Sequence, residues 1–243
     1  MYMTTTLVAP PITVPQTAES SGCDMATTLV APPATVPQTA AWEPSLDSDL
    51  ALLALSEPAF MLSVADHLGG STSSHFLQPC QRECMINWLL QYDVVSEILH
   101  NTVNIFDRFA AAGRTQLHLE DAPLTLVVSW WIASKMDSAT PPKIQAVVQL
   151  AAEASNLPAV LSPEQVYQKE LQILTTLEFR LTVSTSLQWL ERLQSVTGTD
   201  VKMQLFESYT VELSLQSYSA LKFRPSELAA SAVTRTRNAH TAT

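Results

Sequence analysis

The chain has 243 residues, 47% of them apolar and 15% charged, and 13 Lys and Arg against 23 Asp and Glu give a net charge of −10. That is enough apolar material for a real core in one or two domains, whereas the acidic balance argues against a nucleic-acid footprint, which needs clustered Lys and Arg, and suits a basic protein partner. No apolar run reaches membrane-spanning length, no signal-peptide pattern opens the chain, and three cysteines (Cys23, Cys80 and Cys84) are too few for a disulfide framework. These features fit a soluble protein of a reducing intracellular compartment with no membrane partner.

Residues 1–45 are rich in Thr, Pro, Ala and Val and contain a near-duplication: MTTTLVAPPITVPQTA at 3–18 returns as MATTLVAPPATVPQTA at 25–40. The recurring prolines deny helix hydrogen bonds, so a disordered leader is expected. Residues 46–79 hold a weak helical pattern through Leu50, Leu53, Leu55, Phe60 and Leu62, then a flexible GGSTSS joint at 69–74.

From Pro79 onward the pattern is helix after helix, and only five glycines occur in the whole chain. A first helix at about 80–92 carries Met85, Trp88, Leu89 and Tyr92. A second, at about 95–112, has Val95, Ile98, Leu99, Val103, Phe106 and Phe109 at the three-and-four spacing of one buried face and stops near Gly113. Within it NIFDRF at 104–109 sets an acid and a base, Asp107 and Arg108, side by side between two phenylalanines: either both face solvent or one turns inward and needs a partner. A third helix at about 120–136, LTLVVSWWIASK, is apolar nearly all round and is expected at the centre. Thr140 can cap a fourth with Pro141 in its first turn. A fifth opens at Ser162-Pro163-Glu164-Gln165, a capping-box pattern, and runs to about Glu178. Helices at about 184–195 and 201–219 follow, and Pro225 begins another before TRTRNAHTAT.

Chemistry-bearing clusters are weak. Cys80 and Cys84 share a helix face, but no histidine or second cysteine pair completes a metal site, so free core thiols are expected and no metal or cofactor. Five scattered histidines, no nucleophile motif and no phosphate-binding glycine loop argue against an enzyme.

Five stretches in order resemble the cyclin family. RECMINWLL at 82–90 resembles Arg-Ala-Ile-Leu-Val-Asp-Trp-Leu, and NIFDRF resembles Tyr-Ile-Asp-Arg-Phe. ASKMDSATPPKI at 133–144 resembles Ala-Ser-Lys-Tyr-Glu-Glu followed by Pro-Pro. KELQILTTLEFRLTVST at 169–185 and VELSLQSYSALKFRPSELAASAV at 211–233 are similar to the end of the first and the start of the second fold of A/B-type mitotic cyclins. The resemblance implies an all-α protein: a five-helix cyclin box over 80–182, an incomplete second cyclin fold over 183–233 and a tail at 234–243. Two helices and a fragment leave the apolar faces of 184–195 and 201–219 short of cover, as in a truncated product.

The resemblance also implies a regulatory subunit, itself no enzyme, that binds and activates a cyclin-dependent protein kinase in the nucleus and cytoplasm by holding its αC (PSTAIRE) helix in place. By position in the motifs, Lys135 and Glu170 are the kinase-contacting pair, with Ile173, Leu174 and Phe179 as apolar neighbours, each of which also fits a core position. Asp107 is implied to pair with Arg82, a structural latch between the first two helices, while Arg108, about a hundred degrees further round, is expected at the surface. A docking patch for Arg-x-Leu peptides is implied around Arg82, Met85 and Trp88, softened by Gln81, Cys84, Met85 and Pro123 where the family has Met, Ile, Leu and Gln. Two other readings stand beside this one: a cyclin-fold transcription adaptor, which a basic face would favour, and a degenerate, non-activating truncated cyclin.

Overall fold

Proline in the first turn, where a missing N–H costs nothing, opens four of the helices. The structure, a computed structural model, describes residues 75–112, 117–155, 161–198 and 200–241; the leader, the 46–74 segment, Gly113 and the end of the tail lie outside the described residues. The elements are α1 (Pro79–Leu89), α2 (Ser96–Ala112), α3 (Ala122–Asp137), α4 (Ile144–Ser155), α5 (Pro163–Thr176), α6 (Ser186–Thr197), α7 (Val201–Gln216), a 3-10 turn at Tyr218–Lys222 and α8 (Pro225–Thr241). The chain is all-α: among the described residues β pairing is confined to an isolated bridge between Phe76 and His118.

Local chemistry sets the boundaries. At α5 the Ser162 hydroxyl accepts from the Gln165 N–H at 3.3 Å and the Gln165 side chain accepts from the Ser162 N–H at 2.8 Å. Thr185 and Gln188 make the same reciprocal cap on α6, and α6 stops at Gly198, whose φ of 57° is the left-handed conformation glycine adopts freely.

Several expected boundaries move. The helix begun at Pro225 continues to Thr241, through most of the stretch expected as a tail at 234–243. The fourth helix begins at Ile144, not beside Pro141. Pro142 pushes Pro141 out of the helical region, and its carbonyl accepts from the Trp131 indole at 2.9 Å. The helix expected over 201–219 ends at Gln216, because the Arg82 guanidinium occupies its last carbonyls and Glu83 accepts the Tyr218 N–H at 2.9 Å. Cys80 and Cys84 are free but exposed, not core thiols, and Val95 just precedes α2 and is exposed.

The first core gathers Ile86, Leu89, Phe106, Leu126, Val127, Val147, Val166 and Ile173. The centrally placed α3 packs against α2, α4 and α5, which is why it is apolar on every side. A second, smaller core of Trp189, Leu190, Val211, Ala229, Ala232 and Val233 joins α6, α7 and α8, and α1 and α2 pack against α7. The outer face of α7 leaves Val201, Leu205, Phe206, Tyr209 and Leu213 exposed, a row of apolar side chains at helical spacing.

Candidate functional site

Lys135 lies in the last turn of α3 and Glu170 midway along α5. They are distant in sequence, but α3 and α5 pack side by side, and the Lys135 ammonium donates to Glu170 Oε1. The same ammonium sits 3.6 Å from the centroid of the Trp131 ring, one turn back on α3, a cation–π contact. The Trp131 ring in turn lies 5.8 Å from that of Tyr167 on α5, and its N–H is satisfied by Pro142. Lys135 is therefore fixed between an anion and an aromatic face while about a third of its side chain stays open to solvent.

Large apolar side chains are exposed on the same two helices. Tyr167 is 47% exposed, Leu171 59% and Met136 38%. Tyr167 and Leu171 are one turn apart on α5, the spacing that lines one helix face. Ile173, expected as part of the contact surface, is fully buried in the first core and cannot touch a partner. Its position on α5 turns it toward the core, whereas Leu171, two residues earlier, faces out. Sequence reasoning did not single out Tyr167, Leu171 or Met136, the large apolar side chains that α3 and α5 leave exposed. Large apolar residues read as core by default, and the side of α5 that meets α3 is known only after folding.

Phe179 does face solvent, at 64% exposure, on an unusual turn. Glu178 and Phe179 have φ of 51° and 58°, the left-handed region that costs a non-glycine residue roughly 1–2 kcal/mol. The turn is held by the Phe179 N–H donating to the Leu174 carbonyl at 2.8 Å and by the Arg180 carbonyl accepting from Arg108 Nη2 at 2.6 Å. Arg108 is therefore buried, not at the surface as expected. α2 is covered on nearly every side from Thr102 to Ala110, so no outward face was left for it, and its side chain crosses to the α5–α6 connection. Burial and the neighbouring Arg180 charge lower its pKa from the ordinary arginine value.

Asp107 takes the other direction. Arg82 donates to it twice, Nε to Oδ1 at 2.7 Å and Nη2 to Oδ2 at 2.6 Å, and its remaining nitrogen donates to the carbonyls of Leu215 at 3.1 Å and Gln216 at 3.3 Å. Burial disfavours the Arg82 cation, but the charge and hydrogen bonds of Asp107, with smaller contributions from Glu83 and Tyr218, together outweigh it and raise the pKa. Arg82 is 0% exposed, so it lies outside any peptide-docking surface. Met85 and Trp88 are half-buried against the core, and Met85 lines a groove with Cys80, Gln81, Cys84, Leu119, Glu120 and Pro123. This brings together the positions at which the chain departs from the family's docking pattern.

A family model for the cyclin N-terminal domain matches residues 56–182, and one for the cyclin C-terminal domain matches residues 184–242. Among curated proteins, putative cyclin-B3-1 of Arabidopsis thaliana is 29% identical over 171 residues, 68% of this chain and 41% of its own. Cyclin-A2-2 of Arabidopsis thaliana is 32% identical over 166 residues, 65% of this chain and 36% of its own. The chain thus spans about two fifths of the length of these relatives. A chain in the crystal structure of the yeast RNA polymerase II CTD kinase complex CTDK-1 superposes with a TM-score of 0.54 at 15% identity, over 65% of this chain and 54% of that one.

Proposed function

The chain belongs to the cyclin family, and from that premise we propose that it is a regulatory subunit that binds a cyclin-dependent protein kinase and activates it in cell-cycle control. A protein kinase works only when its β3 lysine pairs with the αC glutamate, so a partner that positions αC switches it on while supplying no catalytic group of its own. The observation that carries this reading is the Lys135–Glu170 pair, braced by Trp131 and accompanied by exposed Tyr167, Leu171 and Met136. A fixed charge pair on helices that also expose apolar side chains suits a helix that offers an apolar stripe and complementary polar groups, the charges setting register and the apolar contacts supplying affinity. Phe179 extends the surface from the end of α5. Such a subunit acts where its kinase does, in the nucleus and cytoplasm.

Substrate docking is a second, weaker part of the proposal. The Met85 groove contains Leu119 and Pro123 for an apolar anchor and Glu120 for a basic one, which fits an Arg-x-Leu peptide held loosely, since Gln81 and Cys84 roughen its apolar floor.

Purified chain mixed with a cyclin-dependent kinase should raise the rate of histone phosphorylation. The Lys135→Ala, Glu170→Ala double variant should abolish the rise while keeping the parent's helical circular dichroism. Binding without any gain in rate would overturn the activator reading, and a gain that survives the double variant would move the interface elsewhere.

A further inference from the structure

The two helical sets meet around a partly enclosed cavity that lies away from the Lys135 surface. Its volume is about 50 Å3, and its lining includes His100, Val103 and Asn104 from α2, Ser186 at the start of α6, Leu215 from α7 and Phe223. His100 and Asn104 are one turn apart on α2 and are both buried, 2% and 7% exposed. The His100 Nδ1 lies 3.4 Å from the Ser186 hydroxyl, while His100 Nε2 and Asn104 Oδ1 have no hydrogen-bond partner among the described residues.

Buried polar atoms are almost always partnered, because leaving them bare forfeits their hydration. We assign the Ser186 hydroxyl as the donor to Nδ1, an assignment that places the imidazole proton on Nε2. The cavity therefore presents one bare donor and one bare acceptor beside apolar walls. Arg82 and Asp107 also line it but neutralise each other as an ion pair, so no net charge calls for an ion. Burial lowers the His100 pKa to about 3, which keeps the ring neutral near pH 7.

We propose that this cavity is a binding site for a small neutral molecule that accepts from His100 Nε2–H and donates to Asn104 Oδ1, supplied either by an ordered water cluster or by a primary carboxamide. Both fit the space: at 10–15 Å3 per water the cavity takes about four waters, and a primary carboxamide offers an acceptor and a donor on one edge.

Nuclear magnetic resonance of the isotopically labelled full chain tests this. The Val103 and Leu215 methyls should show cross-peaks to long-lived water, and titrated acetamide should extinguish them while shifting the His100 Nε2 resonance to saturation. If acetamide leaves the water cross-peaks unchanged, water is the guest and the site stands. Absence of water cross-peaks and of any acetamide response, with pressurised xenon shifting the same methyls instead, would show a dry apolar void and overturn the proposal. In Asn104→Val the water cross-peaks or acetamide saturation should be lost, and their survival in a folded variant would overturn Asn104 as a partner. Should that variant fail to fold, the parent spectra decide.

Discussion

Asp107 and Arg82 are a buried pair whose partners cannot be removed singly without leaving a charge stranded. Asp107→Ala should lower stability by roughly 3–5 kcal/mol in urea unfolding, and a loss below 1 kcal/mol would show that Arg82 is compensated by its carbonyl partners alone. His100 adds a pH signature. Its folded-state pKa of about 3 lies below the usual histidine value, so the unfolded chain binds the extra proton between those limits. Stability from this residue is therefore complete above about pH 6.5 and drains away as pH falls toward 3, by at most about 1.4 kcal/mol per pH unit. The urea midpoint of His100→Asn should fall less steeply than the parent's from pH 7 to 5, and parallel curves would discount the histidine. The Asp107–Arg82 latch was legible because both residues sit in recognisable motifs. Arg108 was not, because the periodicity of one helix says nothing about what packs on its far side, and α2 turned out to be enclosed through Ala110.

At the level of the elements, the turn after α5 trades backbone comfort for the placement of Phe179. Glu178 contributes only an exposed ion pair with Arg180, which is worth little, so Glu178→Gly should relieve its left-handed strain and raise stability by up to about 1 kcal/mol without weakening kinase binding. Arg108→Met should do the opposite: it frees the Arg180 carbonyl, loosens the turn and reduces kinase activation more than a comparable loss of stability elsewhere. Proteolysis at 177–182 faster than in the parent would report the loosening, and unchanged cleavage would detach Arg108 from the turn. The caps of α5 and α6 were readable as short-range patterns, Ser162 with Gln165 most plainly. The start of α4 was missed because two adjacent prolines restrict each other in a way that a single proline does not. Ile173 was misplaced at the contact surface because which side of α5 meets α3 is a tertiary fact.

Across the whole molecule, α1 serves both helical sets: Ile86 and Leu89 enter the first core, while Arg82 and Glu83 bind the end of α7 and the turn beyond it. A fragment ending at residue 182 should therefore unfold at lower temperature and bind a hydrophobic dye more strongly than the full chain. An unchanged melting temperature would make the first set independent. The succession of helices and the centrality of α3 follow from apolar periodicity in the sequence, but the dependence of one set on the other does not, since it rests on contacts between residues more than 130 positions apart.

The adjacent Asp107 and Arg108 act as the shank of a rivet driven through α2. One head, through Arg82, clamps the end of α7; the other, through the Arg180 carbonyl, clamps the turn that displays Phe179. Because neighbouring positions on a helix diverge by about a hundred degrees, two consecutive residues can grip two different parts of the molecule with one stiff piece of backbone between them. A sideways shift of α2 would then have to drag both heads, so the position of Phe179 is referred to the same rigid post as the far end of α7.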